Sequence, residues 1–192
     1  MKILLVDIES APIITYTWSL FSPVMSINNI VEPGYILCFS AKWLDESKMY
    51  FGSIQNNSPK EMLKMIHELM SESDVIVHYN GLKYDIPTLN REFVRNGFLP
   101  PSSSKHVDLY QVVKRKFRFE SNKLDWVCQQ LGLGAKVENK GMELWRKCMN
   151  KEPAAWKMMT KYNKHDVILL ERLYKKLIPW IETHPNRGLF DG

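Results

Sequence analysis

The stretch that decides the fold is Ile3-Leu4-Leu5-Val6-Asp7-Ile8-Glu9-Ser10, residues 3–10. This stretch overlaps a near-continuous apolar run, Lys2–Ile8, which is typical of a central β-strand that is covered on both faces. Residues two apart on a strand project from one face, so Asp7 and Glu9 lie side by side where the strand ends. Two adjacent carboxylates at a buried rim repel each other unless a cation neutralises them. The alternative interpretation is a strand end at which both acids simply reach water.

The composition indicates one globular domain. The chain has 192 residues, of which 45% are hydrophobic and 24% charged. No apolar run reaches the roughly eighteen residues of a membrane span and no secretory signal begins the chain, so we expect a cytoplasmic protein without a membrane partner. Cys38, Cys128 and Cys148 lack metal-ligand spacing and predict buried free thiols. We expect a domain over residues 1–180 and a C-terminal tail over 181–192, of which residues 183–192 suggest poor packing.

Strand patterns dominate the first half of the chain, and helix patterns dominate the second half. Further strands are predicted at Tyr35–Trp43, Lys48–Ile54 and Asp74–Tyr79, the first two as an antiparallel hairpin. Helices are predicted from Pro59 onward behind a Ser58 cap and at Ile86–Asn96, Asp108–Phe117, Asn122–Leu131, Met142–Met149 and Ala154–Leu177. This order predicts an α/β fold, a mixed sheet flanked by helices.

Two further acids stand in segments with local structure of their own. Asp85 follows a buried strand and a tight turn at Asn80-Gly81, near a helix N-terminus. Capping of that helix is an alternative role for Asp85, and Asn80 could stabilise the turn through its own backbone. Tyr162 and Asp166 are four residues apart, so they share one helical face. A simple Tyr–Asp hydrogen bond on a half-buried surface is the alternative for this pair.

Taken together, these segments resemble the three motifs of the DEDD superfamily of 3′→5′ exonucleases. The matching stretches are Asp7-Ile8-Glu9-Ser10, Asn80-Gly81-Leu82-Lys83-Tyr84-Asp85 and Tyr162-Asn163-Lys164-His165-Asp166. A sister branch carries His where this chain has Lys161, so the resemblance is to the tyrosine branch, which includes proofreading domains of family A and B polymerases. The stretch Lys105-His106-Val107-Asp108-Leu109 is similar to a connector in stand-alone bacterial and bacteriophage members.

The resemblance implies a ribonuclease H-like fold and metal-dependent hydrolysis at the 3′ end of single-stranded DNA, with release of nucleoside 5′-monophosphates. Asp7, Glu9, Asp85 and Asp166 would hold two Mg²⁺ or Mn²⁺ ions, hard cations that prefer carboxylate oxygens. Tyr162 would orient the attacking water, because a phenol with a pKa near 10 is a poor base. The resemblance further implies that Ser10 and Asn80 contact the nucleic acid. A replication or repair protein is a further candidate partner.

The distribution of charge is consistent with a polyanionic substrate. The net charge is +5, whereas residues 105–164 hold fourteen Lys and Arg against six acids. This excess favours phosphate contacts over an ordinary solvated helical surface. The segment Gly132–Gly141, with Lys136 and Lys140, is either a mobile loop over the substrate or a simple surface connection.

The sequence leaves open the role of three aromatic residues that follow the first motif, and it leaves open the substrate. Tyr16, Trp18 and Phe21 either stack on unpaired bases or fill the core. Trimming of RNA, a catalytically idle nucleic-acid-binding module and a purely structural interaction protein remain alternative functions.

Overall fold

A computed structural model describes residues 1–21 and 25–182 and contains a mixed five-stranded sheet in the order β5-β4-β1-β6-β7. Its central strand β1 is antiparallel to β4 and parallel to β6, and β7 extends the parallel side. The strands are β1 (Ile3–Ser10), β2 (Ile14–Thr15), β3 (Ile30–Glu32), β4 (Ile36–Trp43), β5 (Met49–Ser53), β6 (Val75–His78) and β7 (Lys105–Asp108). The predicted α/β architecture is therefore confirmed.

In the described part of the chain, six α-helices flank the sheet. They are α1 (Pro59–Glu72), α2 (Asp85–Arg95), α3 (Leu109–Lys116), α4 (Leu124–Gln130), α5 (Met142–Met149) and α6 (Pro153–Leu177). The start of α1 is confirmed: Ser58 and Glu61 form a capping box in which each side chain accepts a hydrogen bond from the other's backbone N–H. Within the described ranges, no helix has the length and apolar character needed to cross a membrane.

The side chains of β1 alternate between the two faces of the sheet, so β1 contributes to two separate layers of the core. Leu4 and Val6 pack with α1 and α2 on one face, whereas Ile3 and Leu5 pack with α3, α4 and α6 on the other. Because side chains alternate along a strand, Asp7 has the same parity as Leu5 and faces α6. The last long helix therefore covers the face of β1 that carries the acids.

The starts of α3 and α4 differ from the prediction. Asp108, predicted to begin a helix, is instead the last residue of β7, and its side chain caps α3 by accepting from the Tyr110 N–H. The sequence pattern did not predict β7, because this four-residue edge strand has a single apolar residue, Val107. For α4, Lys123 rather than Asn122 occupies the N-cap position, and the Asn122 carbonyl accepts from the Tyr79 hydroxyl at 2.6 Å.

The last described residues pack against the domain. Ile181 is buried in the core beside α6, and Glu182 forms an ion pair with Lys116 on α3. Residues 183–192 of the predicted tail lie outside the described residues, as do residues 22–24.

Candidate active site

Three carboxylates from distant parts of the chain meet where β1 ends. One oxygen each from Asp7, Glu9 and Asp166 lies within 4.8 Å of the others. Asp7 and Glu9 reach this position because they share the face of β1 that α6 covers, and Asp166 is buried on α6. Within residues 1–21 and 25–182, no other group of three acids, histidines or cysteines comes this close together.

The surroundings of these acids disfavour their charged forms. Burial, followed by the negative charges of Glu9, Asp166 and Asp85, raises the pKa of Asp7 well above its usual range. Burial and the charge of Asp166 raise the pKa of Glu9 to about 8. Burial likewise raises the pKa of Asp166. A cluster that is this costly to ionise fits a site whose charge is balanced by a cation.

Lys136 supplies one such cation from the protein itself. Its Nζ lies 2.5 Å from Oδ2 of Asp166 and 3.2 Å from the Tyr162 hydroxyl. Burial acts to lower the pKa of Lys136, but the contributions of Asp166, Tyr162 and Asp7 together outweigh burial, and the pKa is raised. The backbone holds the lysine in place, because its N–H donates to Oδ1 of Asp125 at 2.7 Å.

The segment Gly132–Gly141 thus reaches the acid cluster through Lys136. His165, the neighbour of Asp166, also contacts this loop, since its Nε2 lies 2.8 Å from the Ala135 carbonyl. His165 is absent from the acid cluster, which agrees with its half-exposed position on α6. The sequence left open whether this segment is a loop over the substrate or a surface connection, and it singled out Lys136 only as one of the basic residues in it.

Tyr162 stands beside Asp166 one helical turn away, as predicted. A hydrogen-bond interaction with Tyr162 acts to lower the pKa of Asp166, against the larger effect of burial. Burial and the charge of Asp166 raise the pKa of Tyr162 to about 12, so the phenol stays protonated. Its ring packs edge-on against Trp145 of α5, with the centroids 5.8 Å apart, and an interaction with Trp145 acts to lower the pKa of Glu9. No sequence pattern pointed to Trp145.

Asp85 lies next to the cluster but outside the group of three. It is the first residue of α2, and its Oδ1 accepts a hydrogen bond at 3.4 Å from the N–H of Ile8, the residue between Asp7 and Glu9 on β1. Burial raises the pKa of Asp85 to about 6. Tyr84 occupies the N-cap position of α2, so the Asp85 carboxylate bonds across to β1 instead of capping the helix from that position.

The turn before α2 is held by side chains that sequence reasoning did not connect with it. Asn80 has a positive φ of 61°. Asp108 accepts hydrogen bonds from the N–H groups of Asn80 at 2.7 Å and Leu82 at 3.4 Å. His78 is fully buried, and its Nδ1 accepts from the Gly81 N–H at 3.2 Å. The turn that carries Asn80 is therefore fixed by the end of β6 and the end of β7.

A groove of about 550 Å³ opens beside Asp7. Its walls include Asp7, Asn80, Tyr84, Tyr110, Lys123 and Lys136. Asn80 therefore lines this groove, and its contact with a substrate stays a prediction. Ser10 is half-buried at the end of β1, after a shift of register between Glu9 and Ser10, and does not line this groove.

The residues present fit a divalent metal ion. Oδ1 of Asp166 is buried without a hydrogen-bond partner among the described residues, although a buried polar atom normally has one. The cluster offers carboxylate oxygens without cysteine or histidine, a donor set that suits Mg²⁺ or Mn²⁺ rather than Zn²⁺.

The mixed sheet, with acids on its central strand and a long C-terminal helix across them, defines a ribonuclease H-like domain. A family model described as RNase_H superfamily matches residues 32–178, and the chain belongs to that superfamily. Its structure is similar to that of the family B DNA polymerase from the hyperthermophilic archaeon Pyrobaculum calidifontis, with a TM-score of 0.65 and 20% identity. The similarity covers 93% of this chain and 24% of the polymerase chain. A comparison with curated proteins finds no match.

Proposed function

We propose that this protein is a metal-dependent 3′→5′ exonuclease that hydrolyses single-stranded DNA to nucleoside 5′-monophosphates. The observation that carries the proposal is the meeting of Asp7, Glu9 and Asp166 beside an open groove, with Asp85 bonded to the strand between them. Membership of the RNase_H superfamily fits a nuclease-type hydrolase, and the similarity to a DNA polymerase supports a polynucleotide substrate.

The four acids would hold two Mg²⁺ or Mn²⁺ ions. Asp7, Glu9 and Asp166 would bind one ion, and Asp85 together with Asp7 would bind the other. When bound, such ions neutralise charge on the phosphate and lower the pKa of water. The raised pKa values of the acids support this assignment, because a carboxylate in this cluster gains more from a cation than one in water does.

The remaining groups of the site would position the reactants. Tyr162 stays protonated, so its hydroxyl would orient the attacking water as a hydrogen-bond partner and would not remove its proton. Lys136 lies between the groove and Asp166, so its ammonium group would contact the phosphate of the bond to be cleaved. Ser10 would approach the terminal nucleotide from the end of β1.

The groove favours unpaired nucleic acid. The rings of Tyr84 and Tyr110 would stack on bases, and Lys123 would contact a phosphate. Stacking on aromatic rings requires bases that are free of a complementary strand. RNA remains the alternative substrate, and a replication or repair protein remains a candidate partner.

A nuclease assay on 5′-labelled single-stranded DNA tests the proposal. We expect a ladder that shortens from the 3′ end with Mg²⁺ or Mn²⁺ and disappears with EDTA. Asp7→Ala and Asp166→Ala should abolish it, whereas Glu68→Ala, an exposed acid on α1, should not. Unchanged degradation by Asp7→Ala would reject the site. A parallel RNA strand separates the two substrates, and binding without cleavage would favour an idle binding module.

A further inference from the structure

An apolar arm projects between β1 and β4. We define the apolar arm as residues 13–21 and 25–32, which include β2, β3 and a short 3₁₀ helix, Ile27–Asn29. Ten of its apolar side chains are more than a third exposed, and Trp18, Leu20 and Ile27 are 102%, 86% and 84% exposed. Tyr16 and Phe21 are also mostly exposed, so the interpretation that the aromatic residues fill the core is wrong.

The base of the apolar arm is ordered and attached to the domain. The Tyr16 N–H donates to the Asn29 carbonyl at 3.0 Å, which joins its two sides. At the foot, the Ala11 N–H donates to the Tyr35 carbonyl at 2.8 Å, and Arg91 of α2 donates to the Gly34 carbonyl at 2.9 Å. Hydrogen bonds therefore join the two sides of the apolar arm to each other and join its foot to the domain.

The exposed apolar area is large enough for a stable interface. A Phe, Tyr or Trp side chain accounts for roughly 150–250 Å², so the three aromatic residues alone expose on the order of 500 Å². The aliphatic residues of the apolar arm add to this area. The largest apolar patch on a typical monomer is about 300–600 Å², and a standard interface buries about 800 Å² on each partner.

The charge of this segment argues against nucleic acid and for a self-complementary contact. Residues 11–35 contain no Lys or Arg and one acid, Glu32, although the whole chain carries +5. Nucleic acid binds chiefly through contacts between cations and phosphates, which the apolar arm cannot supply. A symmetric contact places a surface against its own copy, and an almost uncharged apolar surface is not repelled by itself.

We propose that the apolar arms of two copies of this chain pack against each other and form a symmetric dimer. In the described part of the chain, β2 and β3 pair with each other alone, so their outer edges can accept a strand from the second copy. The proposal does not depend on the nuclease function, because no residue of the apolar arm belongs to the acid cluster.

Light scattering after size-exclusion chromatography, over a wide range of protein concentration, tests the proposal on the full chain. We expect the mass of a dimer for the wild type and a twofold lower mass for the double variant Leu20→Glu, Ile27→Glu. The matched control Leu99→Glu changes a residue that is 81% exposed outside the apolar arm and should remain dimeric. Circular dichroism checks that all variants are folded.

Two results would overturn the proposal: a wild-type monomer at every concentration, or a dimer that persists in the double variant. If the wild type is monomeric and Trp18→Ala weakens its binding to single-stranded DNA, the apolar arm is a base-stacking surface instead. These measurements of mass are independent of nuclease activity, so the dimer and the proposed function can fail separately.

Discussion

Nδ2 of Asn163 lies 2.7 Å from Oδ2 of Asp7 and joins the middle of α6 to the end of the central strand. A carboxylate only accepts hydrogen bonds, so the amide nitrogen must be the donor. Asn163 is fully buried, and the same nitrogen lies 3.4 Å from the Asp7 carbonyl. This contact sets the orientation of the carboxylate that faces Glu9 and Asp166.

We expect Asn163→Ala to weaken metal binding. Without the donor, Asp7 is free to rotate, and the loss of a residue that orients a ligand typically costs about 10–100-fold in metal affinity. Titration calorimetry with Mn²⁺ measures the change. Thr160→Ala, on the same helix but bonded to the Trp156 carbonyl, is the control. An unaltered Mn²⁺ affinity in Asn163→Ala would contradict the role.

Asp7→Asn should remove nuclease activity and yet stabilise the metal-free protein. The substitution removes a buried charge beside two other acids, while the amide oxygen can still accept from Asn163. A gain of about 1 kcal/mol in the free energy of unfolding raises the melting temperature by about 2–4 °C in a domain of this size. Thermal melts in EDTA measure it, and a lower melting temperature for the variant would show that the acids do not repel each other.

The metal-free protein should lose stability as the pH rises. Burial raises the folded-state pKa of Asp85 to about 6 and that of Glu9 to about 8, above the values of about 4 in an unfolded chain. An acid whose pKa is higher in the folded state than in the unfolded state contributes stability that is fully present below the unfolded pKa. This stability is lost as the pH rises through the folded pKa. The melting temperature in EDTA should therefore fall between about pH 4 and pH 8 and level off above that range.

Metal ions should reverse this loss, because they favour the charged acids. The increase in melting temperature on adding Mn²⁺ should be larger at the alkaline end of the range than at the acidic end. Glu9→Gln should flatten the profile in EDTA. An equal effect of Mn²⁺ at every pH would contradict the prediction.

Lys136→Met should destabilise the protein more in EDTA than in Mn²⁺. The substitution leaves Asp166 without its cation, and the Lys136 side chain is 29% exposed, so we expect about 1–3 kcal/mol, less than for a fully buried pair. Bound Mn²⁺ would supply the missing charge. Urea unfolding under both conditions measures the difference, with Lys140→Met in the same loop as the control. Equal losses in EDTA and Mn²⁺ would mean that Lys136 acts by packing alone.

Asp108→Ala should loosen the turn that carries Asn80. The N–H groups of Asn80 and Leu82 would lose their acceptor, at a cost of about 2–3 kcal/mol in the free energy of unfolding. Because Asn80 lines the groove, the affinity for a single-stranded oligonucleotide should fall as well. Fluorescence anisotropy measures this affinity, and Gln111→Ala on α3 is the control. Destabilisation with full binding would indicate a structural role only.

Local spacing was enough to predict part of the site. The period of a strand places Asp7 and Glu9 on one face, and the period of a helix does the same for Tyr162 and Asp166. The alternation of β1 and the cap at Ser58 likewise agree with the structure, because each depends on residues a few positions apart. The catalytic roles of the predicted residues stay predictions.

Only the tertiary structure decided which other groups join the acids. Lys136 is 30 residues from Asp166 in sequence, and Asn163 is 156 residues from Asp7, so no local period connects them. The packing of α6 over β1 brings these residues together. The same holds for the apolar arm, whose sequence suits a core or a surface equally well. Whether an apolar side chain is buried depends on the elements that pack over it, and these come from distant parts of the chain.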